Sequence, residues 1–145
     1  MKGMVDISEK PEVPREAVAS GRILLGKGSM EAIRSGEVRK GDVFISARVA
    51  AIQAVKATST ILAFCHPIPV EGVEVGFEDL GERIECRCLV RARYRTGVEM
   101  EALTGVSVAL LTIWDMVKYL EKDEEGQYPG TRIEEIKVVS KRKGD

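Results

Sequence analysis

The chain has 145 residues, 44% hydrophobic and 31% charged, the profile of one ordinary globular domain with a real core. Its 22 basic and 23 acidic residues leave a net charge of -1, which argues against a dedicated nucleic-acid binder but allows a local cationic pocket for a small phosphorylated ligand. Three cysteines, an odd number, suit a reducing cytoplasm better than a disulfide framework.

MKGMVDISEKPEVP lacks the apolar core of a signal peptide, and the longest mostly apolar segment, Val106–Trp114, is too short to span a bilayer. The expectation is a soluble, cytoplasmic, single-domain protein over residues 1–145 with no membrane partner. Residues 1–14 carry Pro11 and Pro14 among charges and are expected to be flexible. Arg15–Leu25 reads as a strand ending at Gly26, and Ser29 is placed to cap a short helix through Gly36. Asp42 then suits the N-cap of a longer helix whose Val43, Ala47, Ala50, Ala51, Ala54 and Ala57 share one small-chained face.

After the Ile61–Pro69 loop, Val73, Val75 and Phe77 alternate with polar residues or glycine. Beyond a turn at Asp79–Gly81, Ile84, Cys86, Cys88, Val90, Ala92 and Tyr94 do the same. Period two marks strands with one buried and one wet face, and outward glutamates of this hairpin are placed to meet its outward arginines. A long helix follows from Glu99 to Lys122, with a stripe of Leu103, Val106, Leu110, Ile113, Val117 and Leu120. Gln127–Gly130 is a loop and Ile133–Ser140 a last strand. This order predicts an α+β sandwich, an antiparallel sheet with helices on one face.

Four groups of residues suggest chemistry. His66 is the single histidine, in ILAFCHPIP. A zinc site needs three or four ligands, yet only Cys86 and Cys88 remain as soft partners, on an inward strand face where thiols act as small hydrophobes. Cys65 and His66 are adjacent and point apart, which is poor geometry for a nucleophile–base pair. A histidine in a proline-fixed turn and a ligand contact both stay open. Asp115 and Lys118 stand three apart on the long helix, as a surface ion pair or as a coupled base and acid. Lys40-Gly41-Asp42, at a helix start, suits a phosphate group or merely solvent. Glu99-Met100-Glu101 can hydrogen-bond the edge of a purine- or pterin-like ring or simply complement the helix dipole. Fourteen residues of helix separate Glu101 from Asp115, about 21 Å, so a single reacting centre that uses both needs two subunits.

Together MVDIS, RKGDVFISARVAAIQAVKATSTILAFCHPIP and GVEMEALTGVSVALLTIWDMVK make the chain similar, from about Met4 to Lys141, to the cyclic pyranopterin monophosphate synthases, the C proteins of molybdenum cofactor biosynthesis (MoaC). KGDVF, CHP, GVEMEALT and DMVK stand in the family's order and spacing. The resemblance implies a ferredoxin-like fold, a homohexamer of three dimers and active sites at subunit interfaces. It implies conversion of 3′,8-cyclo-7,8-dihydroguanosine 5′-triphosphate to cyclic pyranopterin monophosphate and pyrophosphate.

By matching position, Asp115, Lys118 and Lys40 would be catalytic. Phe64, Cys65, His66, Glu99, Met100, Glu101, Arg15, Asp6 and Lys141 would contact substrate. Phenylalanine stands at Phe64 where the family usually has leucine. The tail VVSKRKGD ends where relatives often continue with a glycine-rich, lysine-containing segment, and Lys143 is an alternative to a tail lysine. No cofactor is implied beyond magnesium accompanying the triphosphate. The rival reading is a non-catalytic purine-nucleotide-binding regulatory module on the same fold. An RNA-binding sheet would need exposed strand aromatics, whereas the outward positions here are mostly glutamate and arginine.

Overall fold

A computed structural model describes residues 2–145. In chain order it contains β1 (Val13–Leu24), α1 (Lys27–Ser35), α2 (Val43–Lys56), α3 (Thr58–Ile61), β2 (Val70–Asp79), β3 (Arg83–Tyr94), α4 (Glu99–Glu121) and β4 (Arg132–Lys143). The strands form one sheet in the order β2-β3-β1-β4, and all three pairings are antiparallel. β1 reaches β2 through helices across the position of β3, and β3 reaches β4 through α4 across the position of β1. That double split crossover, with helices on one face, is the ferredoxin-like α+β arrangement.

The period-two rows explain the core. Ala17, Ala19 and Ile23 of β1 and Ile84, Cys86, Cys88, Val90 and Ala92 of β3 are all buried. Against them lie Ala102, Val106, Ala109, Leu110, Ile113 and Val117 of α4 and Ala47, Ala51 and Val55 of α2. Small residues set how closely these layers approach. A Cβ at Gly105 would stand 2.9 Å from both Cys88 Sγ and Val55 Cγ2, so the two helices and the sheet meet at a point with no room for a methyl group. Burial pushes the Cys86 and Cys88 thiols up to about 12, as expected of inert core sulfurs.

Several boundaries differ from the sequence expectation. β1 starts at Val13, β2 at Val70, and β4 extends through Lys143. Pairing with β1 carries β4 past its apolar centre, so hydrophobicity alone underestimated its length. Ser29 is no N-cap: Gly26 holds that position without a side-chain bond. Ser29 is instead buried and donates to the Glu121 carboxylate at the end of α4. Glu121 also accepts from Gly26 N–H at 3.0 Å and Thr131 Oγ1 at 2.6 Å, capping α1 from a distant helix.

Ala57 ends α2 as its C-cap, and a separate short α3 follows. Leu120 faces solvent and lies off the core stripe. The outward ion pairs run mainly to the neighbour on the other side of β3: Arg91 meets Glu16 of β1 at 3.0 Å and Glu74 of β2 only at 3.9 Å. By length and composition, α4 is apolar enough to cross a membrane, unlike the shorter stretch the sequence suggested. Its apolar face is packed on the sheet and α2, as in a core helix.

Candidate active site

Two clusters of the expected residues form, one at each end of α4. The first depends on the loop between α1 and α2. Gly41 adopts φ +113, a conformation that disfavours any side chain, and its N–H closes a turn onto Val38 O at 3.1 Å. Asp42 then caps α2, accepting from Ile45 N–H at 2.9 Å. This tight turn holds Lys40 over the last turns of α4. Lys40 Nζ donates to Asp115 Oδ2 at 2.8 Å and to the Asp115 carbonyl at 3.3 Å. Lys118 Nζ meets Asp115 Oδ1 at 3.1 Å.

Each oxygen of the carboxylate thus faces its own ammonium. The hydrogen bond from Lys40, followed by that from Lys118, holds the Asp115 carboxyl below its ordinary value. Asp115 in turn raises Lys118. All three side chains are about half exposed, so a ligand can reach them. Alongside, Trp114 and Tyr128 make an edge-to-face pair with centroids 5.3 Å apart.

The second cluster lines a groove of about 340 Å³ between the N-terminal segment, the Cys65–Ile68 turn and the start of α4. Asp6, Phe64, Cys65, His66, Glu99, Met100 and Glu101 all border it. His66 Nε2 lies 2.7 Å from Val5 O. A carbonyl can only accept, so Nε2 carries the proton and, in the neutral ring, Nδ1 is left as an acceptor. The Asp6 carboxylate accepts from Ser8 N–H at 2.9 Å, which lowers its pKa. Burial raises the Cys65 thiol, and Glu101 and Glu99 raise it further, which makes it a poor nucleophile. Phe64 is 72% exposed.

Lys141 of β4 reaches Glu99 Oε1 at 3.3 Å, and Glu99 Oε2 is buried with no partner. Glu101 is only 3% exposed. Its position was legible as a helix terminus, but its burial was not. The clue was its spacing from Gly105 and Ala109, which places it on the small-residue face. Burial raises the Glu101 carboxyl, and neighbouring Glu99 adds to the effect.

The unfolded chain ionises Glu101 first, so its contribution to stability is greatest at low pH and declines as pH climbs from the ordinary glutamate value to the raised one. Glu101→Gln removes that decline. Its melting temperature relative to the parent should rise between about pH 4 and pH 7, and an identical difference at both values would contradict the burial argument.

Arg15 belongs to neither cluster within this chain. It is 8% exposed, in the inward row of β1, and donates to the carbonyls of Tyr94 and Arg95 at 3.4 and 3.2 Å. It borders a different cavity, with Arg91, Arg93, Arg142 and Lys143. Among the described residues no three His, Cys, Asp or Glu side chains converge as a metal cage. Sequence reasoning missed Arg39 and Tyr119, which flank the first cluster: Arg39 N–H donates to Tyr119 Oη at 3.0 Å. Contact between residues so far apart in sequence leaves no local signal.

A model of the MoaC family matches residues 4–144. Three relatives, each named "Probable cyclic pyranopterin monophosphate synthase", align over nearly their whole lengths. The Thermococcus kodakarensis protein is 58% identical over 142 residues, covering 98% of this chain and 91% of its own. That of Pyrococcus furiosus is 56% identical over 140 residues, 97% and 90% of the two chains. That of Methanoregula boonei is 60% identical over 141 residues, 97% and 91%.

Proposed function

Because the chain belongs to the MoaC family, we propose that it is a cyclic pyranopterin monophosphate synthase, a lyase of molybdenum cofactor biosynthesis. It converts 3′,8-cyclo-7,8-dihydroguanosine 5′-triphosphate to cyclic pyranopterin monophosphate and pyrophosphate. The observation that carries the reading from family to chemistry is the junction of Lys40, Asp115 and Lys118, two ammonium groups on one carboxylate, each within 3.1 Å.

Rebuilding the ring system breaks and forms C–N bonds, and each step moves protons. Closing the cyclic phosphate joins a substrate hydroxyl to the α-phosphorus and expels pyrophosphate. Fixed cations stabilise the charge that grows on the phosphate oxygens, the role of Lys40 with Arg15 and Lys141 in support. Phosphate oxygens arriving at Lys40 compete with Asp115 for its ammonium. Losing that hydrogen bond lets the carboxyl rise toward its ordinary value and strengthens it as a base, with Lys118 as the matching acid. The chemistry requires no cofactor, and magnesium can accompany the triphosphate.

The groove at the other end of α4 holds the ring through Glu99, Met100, Glu101, Cys65 and His66, with Asp6 and Phe64 at its border. Since about 21 Å of helix separates it from Asp115, a complete site takes one end from each of two chains, in a homohexamer of three dimers. Exposed Ile45 and Val49 on α2 and Leu111 on α4, each more than half accessible, favour such association. The protein works in the cytoplasm and binds neither nucleic acid nor membrane. Pyrophosphate release from the cyclised triphosphate tests the reading: binding without release would favour the regulatory nucleotide-binding module.

A further inference from the structure

The loop that carries Lys40 has a second anchor on α4. Arg39 N–H donates to Tyr119 Oη at 3.0 Å, and the Arg39 guanidinium lies 4.6 Å from the Tyr119 ring centroid. Tyr119 follows Asp115 by one helical turn, so two consecutive loop residues grip adjacent turns of one helix face. Residue 39 does so through its main chain and residue 40 through its ammonium. Among the described residues, the Tyr119 bond is the one main-chain hydrogen bond from residues 37–41 to any element beyond α1.

A half-exposed lysine–aspartate pair fixes its surroundings weakly, because both side chains lose rotamer freedom and solvent screens the attraction. A main-chain bond reinforced by a cation over an aromatic face acts on the backbone itself. We propose that Tyr119 is a positioning residue: its phenol oxygen holds the Arg39–Lys40 backbone so that the Lys40 ammonium stays on Asp115. The consequence for turnover rests on the reading of Lys40 and Asp115 as working groups; the positioning itself does not.

Tyr119→Phe keeps the ring and its cation contact and removes only the accepting oxygen. The Asp115 carboxyl is charge-paired from two sides, by Lys40 from the loop and by Lys118 from α4 itself, and only the Lys40 contact should loosen. Titrating Asp115 by carbon-13 NMR in the full chain reads this without any catalytic assay. In Tyr119→Phe, Asp115 should titrate at higher pH than in the parent, part of the way to its position in Lys40→Ala. In the Lys40→Ala background the same substitution should have no further effect. The matching kinetic expectation is a roughly tenfold loss in kcat that likewise disappears in that background. An unchanged Asp115 titration would overturn the proposal, and so would an equal shift with Lys40 absent. If the chain proved to have no synthase activity, the titration would still decide the positioning role.

Discussion

Asp115→Asn is expected to lower kcat about 10²- to 10⁴-fold, the range for loss of a general base, without disturbing the fold. The side chain is 55% exposed and lies outside the buried core cluster. What asparagine loses is the charge that draws Lys40 and Lys118 together and the ability to take a proton. The isosteric amide keeps one oxygen that can accept from an ammonium and turns an NH2 toward the other, so one lysine contact is lost with the acid–base function while the exposed position leaves the fold intact. Lys118→Ala should fall into the same range, because it removes the proton donor that Asp115 now holds in its charged form. Thermal melts matching the parent would show that structure is intact. Normal turnover by either variant would remove the acid–base assignment.

Mixing Lys118→Ala with Glu101→Gln, each first shown to be inactive alone, should recover activity. Lys118→Ala damages the C-terminal end of α4, and Glu101→Gln alters the buried carboxyl at its N-terminal end. If each site takes one end from each of two chains, co-refolded assemblies place an intact Lys118 beside an intact Glu101 in some sites. Random assortment restores about a quarter of them. If both ends served one site within a single chain, every site in the mixture would carry one lesion and nothing would return. Native mass spectrometry of the mixture establishes that mixed assemblies formed, and no recovery in their presence would refute the shared site.

Much of this arrangement is legible in the residues themselves. The alternation through Ile84, Cys86, Cys88, Val90 and Ala92 places the thiols in the core. Asp42 caps α2 as its position before Val43 suggests. The alanine face of α2 packs closely because it is small. These are local properties, set by period and by cap chemistry within a few residues. Ser29 shows where local rules stop. It has the right chemistry for an N-cap, yet the cap is a carboxylate 92 residues away on α4, and the serine serves that carboxylate instead.

The same limit applies to the candidate site. Asp115 and Lys118 are neighbours by helical spacing, but the approach of Lys40 across 75 residues depends on the turn at Gly41 and on Tyr119. The resemblance makes Arg15 a substrate contact, and nothing in its neighbouring residues says that packing buries it. Within one chain its carbonyl partners at Tyr94 and Arg95 satisfy it locally. Glu101 looks like one more acidic residue at a helix start until packing with the Gly105 face buries it. For Lys40 and Arg15 the missing information is tertiary, a contact between elements that no periodicity encodes; for Glu101 the spacing to Gly105 and Ala109 carries a trace of it.

The central claim is tested most directly by following phosphorus through one reaction. Incubating the full chain with 3′,8-cyclo-7,8-dihydroguanosine 5′-triphosphate and recording phosphorus-31 NMR distinguishes the fates of all three phosphorus atoms. The account predicts loss of the triphosphate signals, a cyclic phosphodiester resonance, and pyrophosphate in equal molar amount, with none of this in Asp115→Asn. A triphosphate that binds and stays intact would contradict it and identify the chain as a nucleotide-binding module.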